Sequence, residues 1–206
     1  MRARGAVLSR LTDAQRTARL PEGDAAPPVL DSPHSPEECL GRFQQELTAL
    51  GVDNHLEPTA EAVRARVKAL LDGRRVLSWD PHLLPYELGP LLTAAAFGVS
   101  PRETQAGAEI GLTGCDGAIA ETGTLALLSG KGRSRAISLL PPVHVAVVRS
   151  ADIVFGMAEY FRTRADRMAE AAALTFVTGP SRTADIELTL TLGVHGPGTV
   201  IVVIGP

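Results

Sequence analysis

From about residue 36 to about residue 99 the apolar positions of this chain recur mostly at helical spacing, and beyond it they gather into short runs. Leu40, Phe43, Leu47 and Leu50 stand three or four residues apart, the interval that places side chains on one face of an α-helix. In front of them Ser35-Pro36-Glu37-Glu38 reads as a capping box with proline at the first helical position, and Gly51 reads as the stop. A second helix is expected from Thr59, with Val63, Val67, Leu70 and Leu71 on one side and Asp72-Gly73 as its exit. Residues 76–79 read as a short buried strand, and 83–97 as a Leu/Ala-rich helical stretch broken by Pro85 and Pro90.

The second regime predicts strands over 108–112, 123–128, 136–140, 143–148, 174–177 and 200–204, separated by Gly, Thr and Pro. Between the fourth and fifth of these, Ser150 is a candidate cap for a helical region. Met157, Tyr160, Phe161, Arg164, Met168 and Ala171 form its inner stripe, and Arg162, Arg167 and Glu170 lie on its solvated side. Alternating helices and strands predict one α/β domain around a largely parallel sheet over residues 36–206. Residues 1–35 carry little hydrophobic period and several prolines, and read as a flexible or loosely docked N-terminal segment.

Charge and cysteine content narrow the chemistry. With 20 Lys+Arg against 23 Asp+Glu the net charge is -3, which gives no electrostatic case for nucleic acid. Cys39 and Cys115 are the only thiols, too few for a disulfide scaffold, a four-thiolate zinc site or a self-contained iron–sulfur cluster. No apolar run approaches the roughly 20 residues that cross a bilayer, and no apolar segment follows the N-terminal arginines, so neither a membrane span nor a signal peptide is expected. The expected location is the cytoplasm.

Four stretches hold candidate chemistry. Residues 111–124 set small residues and hydroxyls beside Asp116 and Glu121 at a turn between strands. There Glu121 can serve as general base, nucleophile or ligand-orienting acceptor, or simply accept backbone hydrogen bonds in a tight turn. Gly130-Lys131-Gly132-Arg133-Ser134-Arg135 suits an anion cradle or a solvated loop, and it lacks the spacing of a nucleotide-binding P-loop. Pro141-Pro142-Val143-His144 admits a wholly apolar strand, with His144 either a core residue or a ligand. Finally, Gly179-Pro180-Ser181-Arg182-Thr183-Ala184-Asp185-Ile186-Glu187, followed by Gly193-Val194-His195, offers hydroxyls that can cap a helix around an anion. In the structural alternative, Asp185 and Glu187 neutralise Arg182 or orient His195. No His-x-His or His-x-x-x-His pair is present, and no metal is expected.

Taken together, Ile119-Ala120-Glu121-Thr122-Gly123-Thr124, Ser138-Leu139-Leu140-Pro141-Pro142-Val143-His144, Gly179 to Glu187 and Gly193-Val194-His195-Gly196-Pro197 resemble the lactate utilisation protein C family, the LUD domain, over roughly residues 36–206. The resemblance implies a three-layer α/β/α fold of the NagB/RpiA/CoA-transferase-like type with a mainly parallel sheet. It also implies a part in oxidising L-lactate to pyruvate beside two iron–sulfur subunits. Lacking the cluster cysteines, this chain would be the accessory component, with no cofactor of its own and the clusters in its partners. The resemblance assigns no residue roles; from the residues themselves Glu121 and His195 are expected to handle a proton, and Thr122, Gly123, Thr124, Arg133, His144, Ser181, Arg182, Thr183 and Asp185 are expected to bind a small carboxylate or other anion. A rival reading is an acyl or CoA-type transferase, or a phosphosugar-type enzyme, with Glu121 as covalent nucleophile. A third reading makes these loops a scaffold for a partner.

Overall fold

A computed structural model describes residues 2–17, 34–92, 105, 107–183 and 191–206. The chain divides into two compact units, Met1–Asp31 and Ser32–Pro206. The first contains α1 (Arg2–Thr17), where no element was expected from the sequence. Everything that follows concerns the second unit.

Its helices begin where the capping residues place them. In α2 (Pro36–Ala49) the Ser35 hydroxyl accepts from the Glu38 N–H at 3.1 Å, and the Glu38 carboxylate accepts from the Ser35 N–H at 2.7 Å. That second bond holds the Glu38 carboxyl below its ordinary pKa. Gly51 leaves the helix with a φ of 75°, the left-handed geometry that glycine adopts without cost. α3 (Ala60–Leu71) starts with the Ala62 N–H donating to Thr59 Oγ1 at 3.2 Å.

Five strands form the central sheet. They are β1 (Asp53–Leu56), β2 (Val76–Ser78), β3 (Ile110–Thr113), β6 (Val143–Arg149) and β11 (Thr199–Gly205), in the order β1-β11-β6-β3-β2, with every pairing parallel. The fold is therefore α/β with a mainly parallel central sheet. Alternation along β6 sends Val145 and Val147 to one face, where α3 packs Val63, Val67 and Leu71. Ala146 and Val148 go to the other face, against Cys39, Phe43 and Leu47 of α2.

A second sheet completes that other side. β4 (Gly117–Ile119), β5 (Thr124–Ser129), β7 (Ile153–Val154) and β8 (Ala173–Val177) run in the order β7-β4-β5-β8. The β4–β5 and β5–β8 pairings are antiparallel. Ala118 and Leu125 face α2, whereas Ile119 and Ala126 pack with Tyr160 of the helix Met157–Ala169. A small antiparallel ribbon of β9 (Arg182–Thr183) and β10 (Thr191–Leu192) stands apart.

Several local expectations change. Residues 136–140 fold as a one-turn helix, α5 (Ala136–Leu139), because a short apolar run suits a buried helix as well as a strand. The two prolines after it therefore lead from a helix into β6. Between 83 and 92 the prolines leave 3-10 turns at Pro81–Leu83 and Pro85–Glu87 and the short α4 (Gly89–Leu92), while 93–97 lies outside the described residues. Ser150 opens a 3-10 turn, and α6 (Met157–Ala169) begins after Gly156 instead. Its Met157 and Phe161 are exposed, so the inner stripe narrows to Tyr160 and Met168. Arg182 and Thr183 form a strand where a helix start was expected.

Candidate functional site

Ligands of open α/β sheets gather at the carboxyl ends of the parallel strands. Here β2 ends at Ser78, β3 at Thr113 and β6 at Arg149, and the chain that follows β3 carries Cys115 and Asp116. Asp116 is buried. Its Oδ2 accepts from the Leu128 N–H at 2.8 Å and its Oδ1 from Arg133 Nη1 at 2.5 Å. The loop 130–135 is thus no open cradle. Gly130 and Arg133 bond to each other across the turn, the Asp80 N–H donates to the Gly132 carbonyl, and the Arg133 guanidinium turns inward over the Trp79 ring, 5.2 Å from its centroid.

Two cavities adjoin this cluster. One of about 570 Å³ is walled by Leu77, Trp79 and Ile137, with Asp80, Lys131 and Arg133 as its charged groups. The other, of about 90 Å³, is lined by Cys115, Asp116, Arg133, Arg149, Asp152 and Arg167, and Trp79 borders both. Burial pushes the Cys115 thiol up to about 12, so it stays protonated and a weak nucleophile.

The Ile119-to-Thr124 motif lies elsewhere, in the hairpin turn between β4 and β5. A 3-10 turn spans Ala120–Thr122, and Gly123 follows at a φ of 64°. A Cβ there would stand 3.0 Å from Glu46 Cβ and 3.1 Å from Leu50 Cδ1, so the turn is seated on the last turn of α2. Hydroxyls run in a chain from Thr122 through Thr124, 2.7 Å apart, to Thr178, a further 2.8 Å on. Arg182 donates to the Leu50 carbonyl at the end of the same helix. Glu121 is exposed, its N–H donating to the Phe155 carbonyl at 2.9 Å. The Ser181 N–H donates to the Pro197 carbonyl and joins the loop 193–198, on which His195 is exposed.

The predicted residues therefore separate into three places. Thr122, Gly123, Thr124 and Arg182 meet around the end of α2, with Glu121 beside them on the turn, His195 on the loop that enters β11 and Ser181 bonded to that loop. Because α2 leads into β1, this group belongs to the amino ends of the strands. Arg133 belongs to the carboxyl ends. Thr183 is in β9, and Asp185 lies outside the described residues.

His144 stands alone inside the sheet. It is fully buried between Gly111 of β3 and Val200 of β11, with Nε2 2.9 Å from Thr113 Oγ1 and Nδ1 without a partner. Burial draws its pKa from 6.5 down to about 4, so the ring is neutral at physiological pH. Between these values the unfolded chain takes up a proton that the folded chain refuses. The contribution of this site to stability is intact above pH 6.5 and is lost as the pH falls towards 4. At about 1.4 kcal/mol per unit the loss is on the order of 3 kcal/mol. Urea midpoints measured from pH 7 to pH 4.5 should fall more steeply for the wild type than for His144→Gln, and equal slopes would refute the assignment.

Asp116, Trp79, Arg149 and Arg167 were not among the expected site residues. In the sequence Asp116 showed only as a carboxylate of the 111–124 stretch, and Arg149 only as the first charge after the apolar run 143–148.

Residues 94–204 match the family model of the LUD domain. A lactate utilization protein C of Deinococcus radiodurans is 35% identical over 207 residues, which is 97% of this chain and 95% of that one. Its namesake in Halalkalibacterium halodurans is 30% identical over 182 residues, covering 80% of this chain and 77% of the relative. Among solved structures, the crystal structure of a DUF162 family protein from Deinococcus radiodurans superposes with a TM-score of 0.69 at 28% identity, over 84% of this chain and 100% of that one. With more than half of its length matched by the family model and nearly all of it by a relative, this chain belongs to the LUD domain family.

Proposed function

We propose that this protein is a component of lactate utilisation, an accessory part of a cytoplasmic system that oxidises L-lactate to pyruvate. The observation that carries this reading is the near end-to-end match to a protein named lactate utilization protein C. Removing two electrons from lactate requires an acceptor. The two thiols of this chain, Cys39 buried and Cys115 half-buried, both with raised pKa, are too few to ligate a cluster. Electron transfer in this reading falls to iron–sulfur partner subunits, and this chain binds a small carboxylate, the partners, or both. The transferase reading is less well supported, because a covalent acyl carboxylate needs shielding from water and Glu121 is exposed on a hairpin turn.

The test is genetic and biochemical. Deleting the chain in its own host should abolish L-lactate-dependent growth and L-lactate-dependent reduction of an artificial electron acceptor. Restoring the chain should restore both, and a tagged copy should co-purify with iron–sulfur proteins. Undiminished lactate oxidation in the deletion strain would end the proposal.

A further inference from the structure

The small cavity at the carboxyl ends of β3 and β6 has an unbalanced lining. Arg133 is paired with Asp116, and Asp152 with Arg164 Nη2 at 2.8 Å. Arg149 and Arg167 line the same space and have no carboxylate partner among the described residues. Both side chains are exposed at its rim, and two cations on one rim gain from an anion held between them, to which each can present paired N–H donors. Arg149 is rigidly based, at the end of a seven-residue strand bonded on both sides, where it pairs with Gly205. At about 90 Å³ the space accepts a molecule of roughly six heavy atoms and excludes nucleotides and coenzymes, whose pockets start near ~300 Å³.

We propose that this cavity binds a small organic carboxylate of the hydroxyacid or oxoacid class, with Arg149 and Arg167 as its charge partners. The choice of a carboxylate among small anions rests on the lactate reading, whereas the anion site itself rests on the geometry.

Trp79 borders the cavity and is the only tryptophan of the chain, so its fluorescence reports on this cavity and the larger one beside it, and the arginine variants tell the two apart. Titrating the full-length protein with L-lactate should give a saturable change in tryptophan emission, with matching heat in calorimetry. Lactamide, which keeps the shape and lacks the charge, should bind at least tenfold more weakly. Arg149→Gln and Arg167→Gln should each weaken L-lactate at least tenfold, while Arg66→Gln, at the surface pair with Glu57, should leave the affinity unchanged. If Arg149→Gln does not fold, Arg149→Lys keeps the charge without the fork and should still weaken binding.

Unaltered affinity in the Arg149 and Arg167 variants overturns the site, as does a folded wild type that gives neither signal nor heat at millimolar L-lactate. Inorganic phosphate binding more tightly than L-lactate overturns the carboxylate assignment. Arginine-dependent binding of L-lactate in a chain whose deletion spares lactate oxidation upholds the site and removes only the proposed function.

Discussion

Gly111→Ala should leave the chain unable to hold its native fold. The new methyl carbon would stand 1.8 Å from the carbonyl oxygen of Ile137, 3.0 Å from its carbonyl carbon and 3.2 Å from Pro141 Cγ. None of these is the end of a flexible side chain. Relief requires α5 to lift from β3, and β3 is itself bonded between β2 and β6. Overpacking that side chains can absorb costs about 1–3 kcal/mol, so a backbone clash of this depth should cost about 4 kcal/mol or more. Against a total stability of roughly 5–15 kcal/mol, that loss leaves a marginal or insoluble protein. The comparison is Gly41→Ala, in the middle of α2 with nothing within 4 Å, which should instead stabilise by about 1 kcal/mol. Urea unfolding of the two variants decides it. A Gly111→Ala protein with a near wild-type midpoint would mean that α5 does not pack on β3 as described.

Nothing around position 111 in the sequence announces this constraint, and the reason is general to this chain. Features set by neighbours in sequence were legible. Ser35 and Thr59 cap the helices they precede because the bond from cap to third residue is local. β6 and β11 showed as continuous apolar runs because strands of a parallel sheet are buried on both faces. β1 was hidden because Asp53-Asn54-His55-Leu56 lies at the sheet edge, paired only with β11, and carries no apolar alternation. β4 and β7 are too short to show a period. Two strands of the second sheet, β5 and β8, were legible over 123–128 and 174–177, but their partners β4 and β7 were not.

The candidate site was legible as residue types and not as places. Glycine and hydroxyl residues did mark real turns, and Gly123 does adopt the left-handed backbone that its position requires. Which motif faces which depends on contacts across the fold. Arg182 ends on a carbonyl 132 residues away, and the hydroxyl chain from Thr124 reaches Thr178, 54 residues on. Arg133 was singled out as an anion ligand, yet its guanidinium is already engaged by Asp116, 17 residues earlier. Sequence can nominate a cation, but whether it is already paired is a property of the fold.

That engagement makes Asp116→Ala the second severe substitution. The carboxylate is 4% exposed and serves two donors, the Leu128 N–H and the Arg133 guanidinium, whose side chain is 26% exposed. Removing it orphans a buried backbone donor and a largely buried charge together. Breaking one side of a buried pair costs about 3–5 kcal/mol, and the partial exposure of Arg133 places the expected loss near ~3 kcal/mol. Asp116→Asn should cost less, about 1–2 kcal/mol, because an amide oxygen can still accept from Leu128 while the charge is lost. Adding Arg133→Met to Asp116→Ala should recover part of the loss, since the largely buried guanidinium left without its carboxylate is then gone. Urea unfolding of the three proteins, read by Trp79 emission, gives the ordering directly, because the residue is 4% exposed in the folded chain and meets water on unfolding. If the double variant is no more stable than Asp116→Ala alone, the cost lies in the Leu128 hydrogen bond, and Arg133 is a free cation that the adjoining cavities can use.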